Sequence, residues 1–472
     1  MKKGGKVIAS GGFGCVFKPS LKCKGKNREK GKITKLMTER HALSEYNEIK
    51  LIKNKLDNIP NYKNYFMIDD FQICIPDKLE NSDLKNYKKK CSALPKDDIT
   101  FKNINKSLDK LMALNMPDGG VPVDDYIYNN TSFKEIYELN KSLIDLFING
   151  ILPMNKKNIY HCDIKDSNVL VKAQDDQIYT RLIDWGLSTE YTPFIYEKFP
   201  KTWRNRPLQY NVPFSVILFT DSFGLSYKDF IDKEKKIDET TIRPFVIDYI
   251  YFWMKKRGNG HYKFINDIMY MLFSNELQNI PDKDKNKLIE TDFTMRYIIN
   301  YLTKILLNYT NFNEDGTINL IPYLDEVFIN IVDVWGFIFI YYPILEFLYD
   351  NYSKLDENKI QMFNLIKNII INNLYNPRIE PINIKNLVKD LEMLGELFKI
   401  EYLNNNIPNK ILENKIYKNN STIKTKITKN NKSIKMRQKK YTFKNKISKL
   451  IIKKNTKTGA RKAKTYLFTQ KN

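Results

Sequence analysis

The residues best suited to chemistry lie in one octet, His161-Cys162-Asp163-Ile164-Lys165-Asp166-Ser167-Asn168. Asp163 can accept or orient a hydroxyl proton. Lys165, two residues later, can neutralise a moving phosphoryl group, and Asn168, five later, offers a neutral oxygen to Mg²⁺. A second run, Leu182-Ile183-Asp184-Trp185-Gly186, sets Asp184 at the end of an apolar strand, 21 residues after Asp163. A carboxylate there is costly unless it binds a metal or a charge. Two short strands, 169–172 and 178–184, separate the acids, so both carboxylates should point into one cleft. A hydroxyl acceptor, metal ligands and fixed positive charge are what phosphoryl transfer needs. His161 reads as a packed scaffold residue.

A phosphate also needs a cradle. Ala9 and Ser10 lead into Gly11-Gly12-Phe13-Gly14-Cys15-Val16, set between strand-like runs at 6–10 and 15–18. Glycines let backbone amides approach phosphate oxygens without side-chain clashes, and Phe13 at the tip can cover them. Lys35 follows within a strand at 33–37. Facing the cleft, it could reach the α- and β-phosphates. Such a lysine needs a carboxylate to hold it. Glu48 is the candidate, and Glu45, one helical turn earlier, is the runner-up.

The elements that position these groups follow from periodicity. A helix is expected over 39–56, with Ile49, Ile52 and Leu56 on one face. Strands are expected at 66–75 and 111–116, the latter ending at Pro117-Asp118-Gly119-Gly120. The Lys/Asp-rich stretch 76–110 between them reads as loop with some helix. Ser132 and Glu135 have the spacing of a capping box, opening a helix with Ile136, Leu139, Leu143 and Leu146 as its apolar stripe. From about 225 the pattern is mostly helical. Strands first and helices after predict an α+β fold: a small sheet-rich lobe over 1–120 and a large helical lobe over 121–405.

Composition supports a folded body with a separate tail. The 472 residues are 42% hydrophobic, with 27 Phe and 30 Tyr, which excludes a wholly disordered chain. The net charge is +24, but residues 410–472 hold 21 Lys+Arg and one acid, a net of +20. That tail has too few large apolar residues to offset its ordering entropy, so 406–472 is expected to be disordered, with at most a short helix at 446–454. It reads equally as an electrostatic arm for nucleic acid or acidic proteins and as a compositionally biased, solvated end. The five cysteines show no C-x-x-C spacing, so a disulfide framework or zinc site is not expected and a reducing compartment is. No secretory signal is visible. The uncharged stretch 334–345 has 12 residues, too few to cross ~30 Å of hydrocarbon, and reads as a buried helix.

Together these motifs resemble a eukaryotic-type protein kinase: a Gly-rich loop, a strand lysine, a helix glutamate, H-x-D-x-K-x-x-N and D-x-G. Lys165 resembles the serine/threonine branch. The resemblance implies a bilobal kinase-like fold and Mg-ATP as the phosphate source. Ala9, Ser10, Gly11, Gly12, Phe13, Gly14 and Val16 would cover ATP. Lys35, paired with Glu48, would bind its α- and β-phosphates. Asp163 would be the catalytic base, Lys165 would stabilise the γ-phosphate, and Asn168 and Asp184 would hold Mg²⁺. Residues 115–118 would form the hinge, and Asp333, in Asp333-Val334-Trp335-Gly336, would brace the catalytic loop.

There are departures. Ala9 replaces the first loop glycine, Cys162 the usual arginine and Trp185 the usual Phe. No A-P-E is found, and Arg206-Pro207-Leu208-Gln209-Tyr210-Asn211-Val212-Pro213-Phe214 stands as its replacement. Between Gly186 and Asp333 lie 146 residues, so a long insertion falls at about 190–330. Insertion, Lys/Asn-rich composition and basic tail resemble kinases of large nucleocytoplasmic DNA viruses such as the mimivirus group. That implies an intracellular setting, in the virion or host cytoplasm. Two other readings compete: a small-molecule kinase of the aminoglycoside or choline type, against which Lys165 and Gly186 argue, and a kinase-like scaffold binding through its tail. No membrane span is expected, and the oligomeric state is not legible.

Overall fold

Five strands, β1 (Lys6–Ser10), β2 (Gly14–Lys18), β3 (Lys32–Thr38), β4 (Gln72–Cys74) and β5 (Leu111–Pro117), form one antiparallel sheet in this computed structural model. Their order is β1-β2-β3-β5-β4. The structure describes residues 5–129, 132–174, 177–195, 198–350, 355–377 and 379–405. The expectations for the basic tail concern residues outside these.

Strand side chains alternate between faces, so register decides what each face carries. Ala9, Val16, Lys35, Leu114 and Ile73 align across the five strands on one face. Ser10, Cys15, Leu36, Ala113 and Cys74 align on the other. That second face is roofed by the stretch 76–110, where Leu79, Tyr87, Leu94, Ile99 and Ile104 join Cys15, Phe17, Leu36 and Ala113 in one buried cluster. The roof is short turns and one-turn helices such as α2 (Tyr87–Lys90), as its composition predicted.

One disulfide, Cys15–Cys91, with Cα atoms 5.3 Å apart, staples the roof to β2, and a second, Cys23–Cys74, 5.7 Å apart, ties the β2–β3 connection to β4. This corrects the expectation of no disulfide framework. The pairs lie 76 and 51 residues apart in sequence, where spacing motifs carry no signal. The inference of a reducing compartment loses its basis with them. The expected strand at 66–75 also shrinks. Only Gln72–Cys74 joins the sheet, and Phe66 makes an isolated bridge to Leu182. Asp70 takes a left-handed φ of 58° there, which ends strand geometry.

Helix α1 (Glu39–Leu56) matches its predicted bounds and buries Ala42, Ile49, Ile52 and Leu56. It packs on β3 and β5 and against the turn Trp185–Leu187. Beyond β5 the chain runs through Asp118–Gly120 to β6 (Val121–Pro122) and α3 (Val123–Asn129). Residues 115–117 therefore belong to β5, and the connection begins only at Asp118, tied to Lys18 at 2.6 Å. Ser132 caps α4 (Phe133–Asp145) by accepting from the Glu135 amide. The expected box is half formed, because the Glu135 carboxylate takes the Ser132 hydroxyl.

The rest is helical, with strand pairs β7 (Ile159–Tyr160), β8 (Val169–Gln174), β9 (Gln177–Leu182) and β10 (Thr189–Glu190) framing the candidate site. The insertion is mostly helix, including Asp221–Lys233, Glu239–Arg257, Tyr262–Leu272 and Arg296–Tyr309. The helical run Ile321–Asp350 is longer than the 12 residues first marked. It is long and apolar enough to span a membrane, but 94% of its apolar window is buried inside the protein, where it forms the core.

Candidate active site

Two groups of side chains assemble here, one on the sheet and one on the loop after β7. On the sheet, Lys35 lies on β3 directly across from Val16 and Leu114. Its ammonium meets Glu45 at 2.6 Å and Asp184 at 3.9 Å. Burial disfavours the Lys35 charge, but Glu45 and then Asp184 outweigh it and hold its pKa above the ordinary value. Burial also pushes the Glu45 carboxyl up, against the pull of Lys35.

The Lys35 partner is thus Glu45, and Glu48 is corrected to a neighbour. Glu48 accepts from Ser44 at 3.0 Å and makes no ion pair among the described residues. The two acids are three residues apart on one side of α1, and the turn nearer the helix start is the one that passes over Lys35.

The Gly-rich turn closes with the Gly11 amide donating to the Gly14 carbonyl at 2.9 Å. A Cβ on Gly11 would sit 3.6 Å from Lys35 Cε, so the turn lies over the lysine. A Cβ on Gly14 would collide with Met37 at 2.3 Å and the Leu36 carbonyl at 2.7 Å. Gly12 faces open space, and Phe13 at the tip stacks on His41 of α1 at 4.4 Å. Ala9 and Val16 share the face of Lys35. Ser10 turns the other way, where its hydroxyl accepts from the Ser92 and Ala93 amides of the roof.

The second group is built on 161–168. Asp333, buried in the helix Ile329–Phe339, accepts from the His161 amide at 2.9 Å, the Cys162 amide at 2.8 Å and Asn155 at 2.7 Å. This is the brace expected of it. Gly336 of the same helix lets the loop approach, since a Cβ there would lie 2.4 Å from the Ile164 carbonyl. The His161 ring meets the Ile183 carbonyl at 2.9 Å and serves as scaffold.

Asp163 is 7% exposed, and both of its carboxylate oxygens accept hydrogen bonds. Its Oδ2 accepts from Lys165 and from Asn168, each at 2.9 Å, and its Oδ1 from Asn211 at 2.8 Å. Burial pushes its pKa up. Lys165 first, then Asn211 and Arg206, more than reverse this and hold the carboxyl below its ordinary value.

The two groups adjoin. The Ile183 amide donates to the Asn168 carbonyl at 3.0 Å, which sets Asp184 one residue beyond the octet's end. Asp184 itself is in the left-handed region, φ 64°, with its side chain 45% exposed. Among the described residues no cluster of three or more His, Cys, Asp or Glu forms a metal cage. The oxygens of Asp184 and Asn168 fit a different ligand set. A hard cation such as Mg²⁺ takes one or two protein oxygens and completes its shell with phosphate and water. The amide nitrogen of Asn168 is spent on Asp163, so its side-chain oxygen is the atom that would face a cation.

Arg206 and Asn211 reach Asp163 from 43 and 48 residues downstream, and spacing gave no hint of either as its neighbour. No protein-family model matches the chain, and no curated protein matches it.

Proposed function

We propose that the protein transfers the γ-phosphoryl group of Mg-ATP to serine or threonine hydroxyls of other proteins. The observation that carries this reading is Lys35, held by Glu45 and Asp184 beneath Gly11. A buried ammonium under a glycine turn, with a carboxylate on each side, suits the α- and β-phosphates of a nucleotide. Glu45 takes over the role first given to Glu48.

The chemistry then follows from charge. Asp163 accepts the hydrogen bond of the incoming hydroxyl and aligns its oxygen with the phosphorus. Lys165, 2.9 Å from Asp163, meets the charge that spreads over the moving phosphoryl group. Asn168 and Asp184 would hold Mg²⁺, which would supply positive charge to offset that of the phosphates. The protein-hydroxyl acceptor rests on Lys165, two residues after Asp163, and on the open approach left beside a half-exposed Asp184.

The test is turnover of Mg-ATP with a protein acceptor by the wild type and by Asp163→Asn. The variant should lose about 10³-fold in kcat while ATP binding persists, because Lys35 and the glycine turn are untouched. Equal turnover by the two proteins overturns the role of Asp163. Phosphate transfer to small alcohols but not to proteins overturns the substrate class.

A further inference from the structure

The side chain of Arg206 is a buried cation that no step above uses. It is 5% exposed. Its Nη1 donates to the Cys162 carbonyl at 2.7 Å and its Nε to Gln209 Oε1 at 2.7 Å. Its Nη2 makes no hydrogen bond among the described residues and lies 3.9 Å from Asp163 Oδ1. No other carboxylate comes within ion-pair distance of the guanidinium among those residues.

A guanidinium stays charged even when buried, and an unpaired buried charge is strongly unfavourable. Both hydrogen bonds it makes are to neutral oxygens, which a neutral donor could satisfy. Asp163 is the carboxylate that lies within ion-pair distance of its charge. The segment is also fixed against drifting away. Trp253 donates to the Arg206 carbonyl at 3.0 Å and Trp335 to the Tyr210 carbonyl at 2.8 Å. Asn211, at the end of the same segment, grips the same Asp163 oxygen.

We infer that Arg206 is a positioning residue for Asp163, a permanent cation that keeps the carboxylate aimed through the reaction. Lys165 moves its attention to the phosphoryl group as charge builds there, and Arg206 remains behind. The inference deepens the phosphoryl-transfer reading and rests on it.

The experiment compares steady-state Mg-ATP turnover of the full chain for wild type, Asp163→Asn, Arg206→Gln, Arg206→Lys and Arg206→Ala, with thermal denaturation of each. Arg206→Gln should lose about 10- to 100-fold in kcat with KM for ATP within about twofold. Guanidinium ion at millimolar concentration should restore part of the kcat of Arg206→Ala and none of that of Asp163→Asn. Arg206→Lys keeps the charge and should hold kcat within about tenfold of wild type. It carries the test if the neutral variants do not fold.

A folded Arg206→Gln with wild-type kcat overturns the inference. So does an Arg206→Lys that folds and is as inactive as Asp163→Asn. If Asp163→Asn turns over like wild type, the phosphoryl-transfer reading falls first and takes this inference with it. If Asp163→Asn is inactive and Arg206→Gln is not, this inference alone falls.

Discussion

The two faces of the five-stranded sheet are made by alternate residues of the same strands, yet they are held by different chemistry. On the roofed face, Cys15, Leu36 and Ala113 pack under apolar side chains and two covalent links. On the other, one residue over, Val16 and Leu114 flank Lys35, whose ammonium pairs with Glu45 of α1 beneath the Gly-rich turn. The first is dry and locked. The second carries a charge that two carboxylates, Glu45 and Asp184, satisfy. A small sheet buries little surface for its length, so its rigidity has to come from somewhere other than a thick core. The roof supplies it and leaves the opposite face free for polar work.

That division can be broken from the roof. Removing a cross-link frees the unfolded chain, and for a loop closed over 76 residues the chain-entropy account gives about 4.5 kcal/mol. Cys23–Cys74 is nested inside Cys15–Cys91, so the two effects should add to less than their sum. Cys91→Ser should therefore lose about 3 kcal/mol in urea denaturation, and a dithiol reductant, which opens both links, should lower the wild type further. Well below the transition, kcat should stay within about twofold. A Cys91→Ser protein of unchanged stability that loses turnover would mean the faces are coupled, and the division would not hold.

The charged face gives a smaller and sharper effect. Glu45→Gln removes the near partner of Lys35 and should cost about 10- to 100-fold in kcat/KM. Glu48→Gln removes only a bond to Ser44 and should stay within about twofold. The pair is best read side by side in one turnover assay. If Glu48→Gln suffers and Glu45→Gln does not, the ion pair at 2.6 Å is not the one that matters.

How far the sequence could be read follows the same lines. Lys35, Asp163, Asn168 and Asp184 were legible because each sits at a fixed offset within a strand or a tight loop, where local geometry nearly sets the position. Helix α1 and the inner strands were legible by period. The choice between Glu45 and Glu48 was not, since it depends on how far α1 slides and rotates over β3, a tertiary quantity. The cysteine pairs were hidden for a related reason: register brings Cys15 and Cys74 to one face, and neither period nor motif announces a partner dozens of residues away. Arg206 and Asn211 were marked only as part of an unusual run. Their contact with Asp163 is made by the packing of the helices Glu239–Arg257 and Ile329–Phe339, whose tryptophans hold the segment.

The weakest effect tests whether the loop after β7 is as locked as the roof. Asp166 is pushed up to about 6, by burial first and then by Asp124, against the Ser167 amide, Tyr210 and Lys165. Its ordinary value is 3.8. The folded chain thus holds this proton more tightly than the unfolded chain does. The stability it contributes is complete below about pH 4 and is lost as pH rises through about 6. At pH 7 the wild type keeps an ionised acid in a poor setting, and Asp166→Asn should be more stable by about 1–2 kcal/mol, with partial solvent contact already discounted. At pH 4 the two should denature alike. Denaturation midpoints of both proteins across pH 4–8 read this directly. A constant difference across that range would mean the asparagine changes packing rather than charge, and that Asp166 finds enough water to behave as an ordinary surface acid beside a locked Asp163.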